Sequence, residues 1–113
     1  MLRSFSYAVQ AAFMAHAARR PQSAASLEPW AALWERCVSA AFLKAYRTAA
    51  VGAQLVPEDS ATLARLLDAY VMDKALYELS YELGSRPTWV RIPLLGIFSL
   101  LQNWQLDSPR LSG

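Results

Sequence analysis

The densest set of reactive side chains lies in Lys74-Ala75-Leu76-Tyr77-Glu78-Leu79-Ser80-Tyr81-Glu82. Lys74, Glu78 and Glu82 recur at i, i+4 and i+8, which places them on one face of a helix, with Asp73 and Tyr77 on adjacent faces. As a device for helix stability this ladder is poor. The two carboxylates repel one another, and Lys sits N-terminal to Glu, the weaker orientation. The ordinary reading is a solvated charged face worth a few tenths of a kcal/mol per pair. The chemical reading is a polar pocket wall. Tyr77 and Tyr81 offer ring faces and hydroxyls, and carboxylates accept O–H bonds, a combination suited to a sugar. A glycosidase pair made of Glu78 and Glu82 is disfavoured, because one helix face does not flank a cleft.

The chain has one His and one Cys. His16 and Cys37 would make a nucleophilic dyad only with an oxyanion motif, which is missing. Both fall on apolar stripes, so both are expected in the core, Cys37 as a small hydrophobe. A lone cysteine precludes an intrachain disulfide and fits a reducing compartment, here expected to be the cytoplasm. A zinc site built from this chain alone would lack ligands. The sequence contains no glycine-rich phosphate loop, no G-x-G-x-x-G, no kinase His-x-Asp loop and no D-F-G-like metal motif. No catalytic, cofactor-binding or metal-binding residue is assigned.

The elements that would position these side chains read as all-α. A first helix spans about residues 2–18 with the stripe Leu2, Phe5, Val9, Ala12, Phe13 and His16. It has no N-cap ahead of it and looks as if it began before Met1. Arg20-Pro21 ends it and Gln22–Ser26 is a polar loop. Ser26 then caps a second helix over about 27–50, with Trp30, Leu33, Trp34, Cys37, Val38, Ala41 and Ala45 as its inward stripe and Gly52 as its stop. Val56–Ser60 restarts the chain into a third helix over about 61–83, stopped by Gly84. After a Pro-containing connector, Ile92-Pro93 opens a fourth helix to about Trp104, and residues 105–113 read as a tail. Trp30 and Trp34 are expected in the core. Trp89, beside Arg86, Pro87 and Arg91, is either structural or an interface anchor.

Composition bounds the rest. With 113 residues there is one domain at most, or a piece of a larger one, and 55% hydrophobic residues exceed the usual proportion of about 45–50%. A chain this short cannot bury so much apolar area, so part of it should face another domain, a second subunit or a ligand. The net charge of +2 is scattered rather than clustered, which argues against nucleic acid. The longest apolar run, Ile92–Leu101, is half of what a membrane span needs. The acid-free start up to Glu28 resembles a targeting segment, but Gln10 and His16 interrupt its apolar region.

Three segments together resemble the C-terminal part of bacterial maltokinases. They are Leu2-Arg3-Ser4-Phe5-Ser6-Tyr7-Ala8; Trp34-Glu35-Arg36 with Ala41-Phe42-Leu43-Lys44-Ala45-Tyr46; and Lys74–Glu78 through Tyr81-Glu82-Leu83 to Arg86-Pro87-Thr88-Trp89-Val90-Arg91-Ile92-Pro93-Leu94. The resemblance covers about residues 1–101. It implies the helical C-lobe portion of a bilobal fold like that of aminoglycoside phosphotransferases, in a family that makes maltose 1-phosphate from maltose with ATP and Mg²⁺ and is often fused to trehalose synthase. Residues 1–104 would then be an incomplete C-terminal subdomain, inactive alone. The catalytic and metal motifs would lie upstream of Met1, itself an internal methionine of a family helix. The partner would be the missing lobe, a trehalose synthase domain or a second copy. The resemblance implies Tyr77, Glu78 and Tyr81 as acceptor-sugar contacts, with Arg3 a weaker one. Two positions depart from the family: Ser6, where an acidic residue is usual, and Gly84, where Asn is common. The first puts an acceptor-site role of that turn in doubt. The reading from the residues alone leaves a second class open, a free-standing helical interaction module.

Overall fold

The computed structural model describes residues 1–50 and 53–107, the side chain of Asp107 excepted. It is all-α: among the described residues there are four α-helices, short 3₁₀ geometry and no strand. They are α1 (Leu2–Arg19), α2 (Pro21–Ala50), α3 (Ser60–Ser85), the 3₁₀ turn Pro87–Trp89, and α4 (Arg91–Asp107). The chain forms two compact units, Met1–Ala64 and Arg65–Gly113, with the boundary inside α3.

The first unit is built on an antiparallel helix pair. Phe5 meets Phe42 edge to face at 5.7 Å, the Ser6 hydroxyl donates to the Glu35 carboxylate, and His16 Nε2 lies 2.8 Å from Ser23 Oγ. Residue numbers rise along α1 as they fall along α2, which is the geometry of a tight helical hairpin. The hairpin is tighter than the sequence suggests. The polar loop expected over Gln22–Ser26 is helical, and Ser26 is not an N-cap: its hydroxyl donates back to the Ser23 carbonyl at 2.8 Å. Pro21 is instead the first helical residue, where its missing N–H costs nothing and its φ is already helical. Pro29 lies inside α2, so the Ala25 carbonyl forfeits its intrahelical bond. The α1 start lacks a side-chain cap, and the Met1 carbonyl accepts from the Ser4 and Phe5 amides. The expected stop at Gly52 lies outside the described residues.

α3 begins with a side-chain cap. Asp59 Oδ2 accepts from the Thr62 amide at 2.7 Å and from the Thr62 hydroxyl at 2.6 Å, satisfying one of the orphan N–H groups of the first turn. At its other end Gly84 does not stop the helix. No glycine adopts a positive φ among the described residues, and α3 continues to Ser85. The stop is Arg86, displaced from helical geometry (φ −141°, ψ 74°) by the following Pro87.

In the second unit the Trp104 indole N–H of α4 donates to Asp68 Oδ2 of α3 at 3.1 Å. α4 starts one residue earlier than expected and runs past Trp104 to Asp107. This takes in the first three residues assigned to a tail; residues 108–113 lie outside the described set. Pro93 is the third helical residue, where its amide would still have been an orphan. Ala75, Ile92, Pro93 and Leu100 are the buried apolar residues here.

Candidate functional site

α3 separates the two halves of the Tyr–Glu pattern. Glu78 and Glu82 are buried, whereas Tyr77 and Tyr81 stand 64% and 53% exposed. Adjacent residues in a helix diverge by about 100°, so Tyr77 and Glu78 cannot face the same way. The solvated charged face expected of the ladder is therefore not what forms: its carboxylates point inward and its rings outward.

Glu82 is the most enclosed charge among the described residues of the second unit, 1% exposed. A buried carboxylate must be paired and hydrogen-bonded. Arg86, one helical turn on, supplies both bonds in a fork: Nε to Oε2 at 2.9 Å and Nη2 to Oε1 at 2.7 Å. The same guanidinium lies over the Trp89 ring at 4.2 Å. One side chain thus ties the end of α3 to the 3₁₀ turn that leads into α4. Trp89 is a structural anchor of the connector in this arrangement, with its ring half-buried. On the outward side, Lys74 Nζ sits 4.9 Å from the centroid of Tyr77 and caps one ring.

Of the four residues singled out for sugar contact, Tyr77 and Tyr81 are accessible, while Glu78 and Arg3 are buried. Arg3 lies in the first unit with its guanidinium 5.9 Å from the Tyr7 ring centroid. Ser6, one of the two departures from the family pattern, is buried and bound to Glu35.

The expected core of α2 is also turned outward. Trp30 is 67% exposed and Trp34 46%, and Cys37 is exposed rather than buried. The reason is where α1 lands. It packs along Glu35 and Phe42, about a quarter-turn from the Trp stripe, so the stripe borders the helix pair instead of filling it. Between the helices lies an apolar groove of about 550 Å³, lined by Ala8, Val9, Ala12, Phe13 and His16 of α1 and by Leu27, Trp30, Ala31 and Trp34 of α2. His16 is its polar lining residue, half-buried and bonded to Ser23, so it does not pair with Cys37. The volume is in the range of ligand pockets, and its chemistry is that of hydrophobic contact rather than bond making. A second hollow of about 360 Å³ is lined by Arg47, Ala50, Gln54, Val56, Pro57 and Glu58. There Arg47 Nη2 donates to Ser60 Oγ at 3.1 Å, and Gln54 holds a left-handed φ of 52°.

Among the described residues no cluster of three or more His, Cys, Asp or Glu could hold a metal ion, and no helix is long and apolar enough to cross a membrane. No family model matches the chain, and no solved structure matches it.

Proposed function

We propose that the chain is a cytoplasmic helical subdomain of a maltokinase-like sugar kinase, completed by protein outside this sequence and without phosphoryl-transfer chemistry of its own. The three segments quoted above, in family order, support the family. The structural observation that carries the reading is the disposition of side chains. Trp30, Trp34, Tyr70, Leu76, Leu83, Phe98 and Leu101 are exposed, while Arg3, Ser6, Glu78 and Glu82 are buried. Apolar area left in water forgoes about 25 cal/mol per Å², so exposed apolar side chains of this size mark places where more protein belongs.

In this reading Tyr77 and Tyr81 present ring faces to the C–H surfaces of the acceptor sugar. Glu78 and Arg3, being buried, reach it only after local rearrangement. ATP and Mg²⁺ would be held by residues outside this sequence, and no step of the transfer is assigned to residues within it. The alternative, a free-standing helical interaction module, is favoured by the α1–α2 groove, which needs no missing lobe to be occupied.

One measurement separates these readings, and two others test what each says of the isolated chain. An open frame upstream of the Met1 codon that encodes a His-x-Asp loop and an Asp-Phe-Glu motif supports the kinase subdomain; in-frame stops there favour the module. Incubating the purified 113 residues with ATP, Mg²⁺ and maltose should give no maltose 1-phosphate, and turnover would refute the claim that the chain is incompetent. Maltose titrated against tryptophan fluorescence tests whether the isolated chain binds the sugar.

A further inference from the structure

We infer that the outward face of α2 is a self-complementary seam that pairs with α2 of a second copy in antiparallel orientation. Leu27, Trp30, Trp34, Cys37, Ala41 and Ala45 fall within an arc of about 80° at 3.6 residues per turn, and all six are exposed. From Leu27 to Ala41 their spacing alternates between three and four, as in a two-helix seam, and Ala45 follows four residues on. The seam is graded: Leu27, Trp30 and Trp34 are large, while Cys37, Ala41 and Ala45 are small. A parallel pairing would set Trp30 on Trp30 and Ala41 on Ala41, overfilled at one end and empty at the other. An antiparallel pairing sets Trp30 against Ala41 of the second copy and Trp34 against Cys37 of the second copy. Leu27 then meets the aliphatic stem of Lys44. Large opposes small at the Trp30–Ala41 and Trp34–Cys37 contacts, which is the packing rule for facing helices.

The pairing is isologous and closes as a dimer. The area is adequate. Leu27 to Ala45 spans about 27 Å of helix, and α1 flanks the seam through Ala8, Val9, Ala12, Phe13 and His16. Two helices side by side are about 20 Å wide, so the face projects roughly 500–600 Å². Side-chain relief raises that toward the roughly 800 Å² per partner of a stable interface. A missing lobe would be a different occupant of this face, so the inference does not rest on the kinase reading.

The test is the mass of the full chain by light scattering or sedimentation from about 1 to about 200 μM, a range that brackets a micromolar dissociation constant. The wild type should reach twice the chain mass. Ala41→Glu, a good helix former at an exposed site, should weaken dimerisation at least about 100-fold by placing a carboxylate against Trp30. Ala32→Glu, on the opposite side of α2 and also exposed, should leave it unchanged. Trp30→Ala and Ala41→Trp should each weaken it about 10-fold or more, and the double swap should recover it, because only antiparallel pairing restores a large–small contact. Monomer at all concentrations overturns the inference. So do a dimer indifferent to Ala41→Glu, a swap without recovery, and polydisperse aggregation that Ala41→Glu does not relieve.

Discussion

The outer face of α2 and the Glu82–Arg86–Trp89 knot at the end of α3 follow opposite packing rules. On α2, indoles and a thiol face water; at the end of α3, a carboxylate is buried and held by Arg86. The contrast teaches that burial in this chain follows satisfiability more than hydrophobicity. Glu82 can go inside because Arg86 stands one turn away in register to take both oxygens. The Trp stripe of α2 stays outside because α1, with Phe5 and Ser6 at the contact, docks on the neighbouring face. No other described part of the first unit covers it.

Substitutions should separate the two regions cleanly. Ile92, buried beside the knot in sequence, should cost most: Ile92→Ala is expected to lose about 3 kcal/mol in urea unfolding, from lost transfer energy and the cavity left behind. Arg86→Ala leaves the Glu82 carboxylate without its fork and should cost about 2 kcal/mol. That is below the usual figure for a broken buried pair because Arg86 itself is partly exposed. Asp59→Ala removes the cap of α3 and should cost about 1 kcal/mol, read as a lower midpoint in thermal unfolding followed by circular dichroism.

The sign reverses at Gly84. It lies inside α3, and a Cβ there would meet no atom within 4 Å, so Gly84→Ala should stabilise by about 0.5–1 kcal/mol. A loss of stability would show that the helix in fact ends at this glycine. Smallest of all, Trp30→Ser should change monomer stability by less than about 0.5 kcal/mol when measured at low concentration, despite removing the largest side-chain type in the chain. A cost of 3 kcal/mol would erase the contrast between the two regions.

The helices were legible in the sequence because each carries a long run free of strand patterning, and their order and number follow from that. The boundaries were less so, for identifiable reasons. Ser26 has the chemistry of an N-cap, but Pro21 opens a helix five residues earlier and Ser26 turns its hydroxyl back to Ser23. Gly84 has the chemistry of a stop, but the Glu82–Arg86 pair spans it and Pro87 sets the true end. At the candidate site the residue types were legible and their directions were not. α3 has no single apolar face, so spacing groups Glu78 with Glu82 and Tyr77 with Tyr81 without saying which pair faces in. For Glu82 that goes with Arg86, which takes both of its oxygens. For α2 the stripe itself was legible; that it faces outward depends on where α1 docks.

The outward placement of that stripe is tested most directly by the accessibility of Trp30 alone. In a variant carrying Trp34→Phe, Trp89→Phe and Trp104→Phe, Trp30 is the remaining indole. At concentrations low enough to keep the chain monomeric, its emission should be red-shifted and acrylamide should quench it nearly as efficiently as a free indole. Blue-shifted emission with strong protection from quenching in the monomer would place Trp30 in a core and contradict the account.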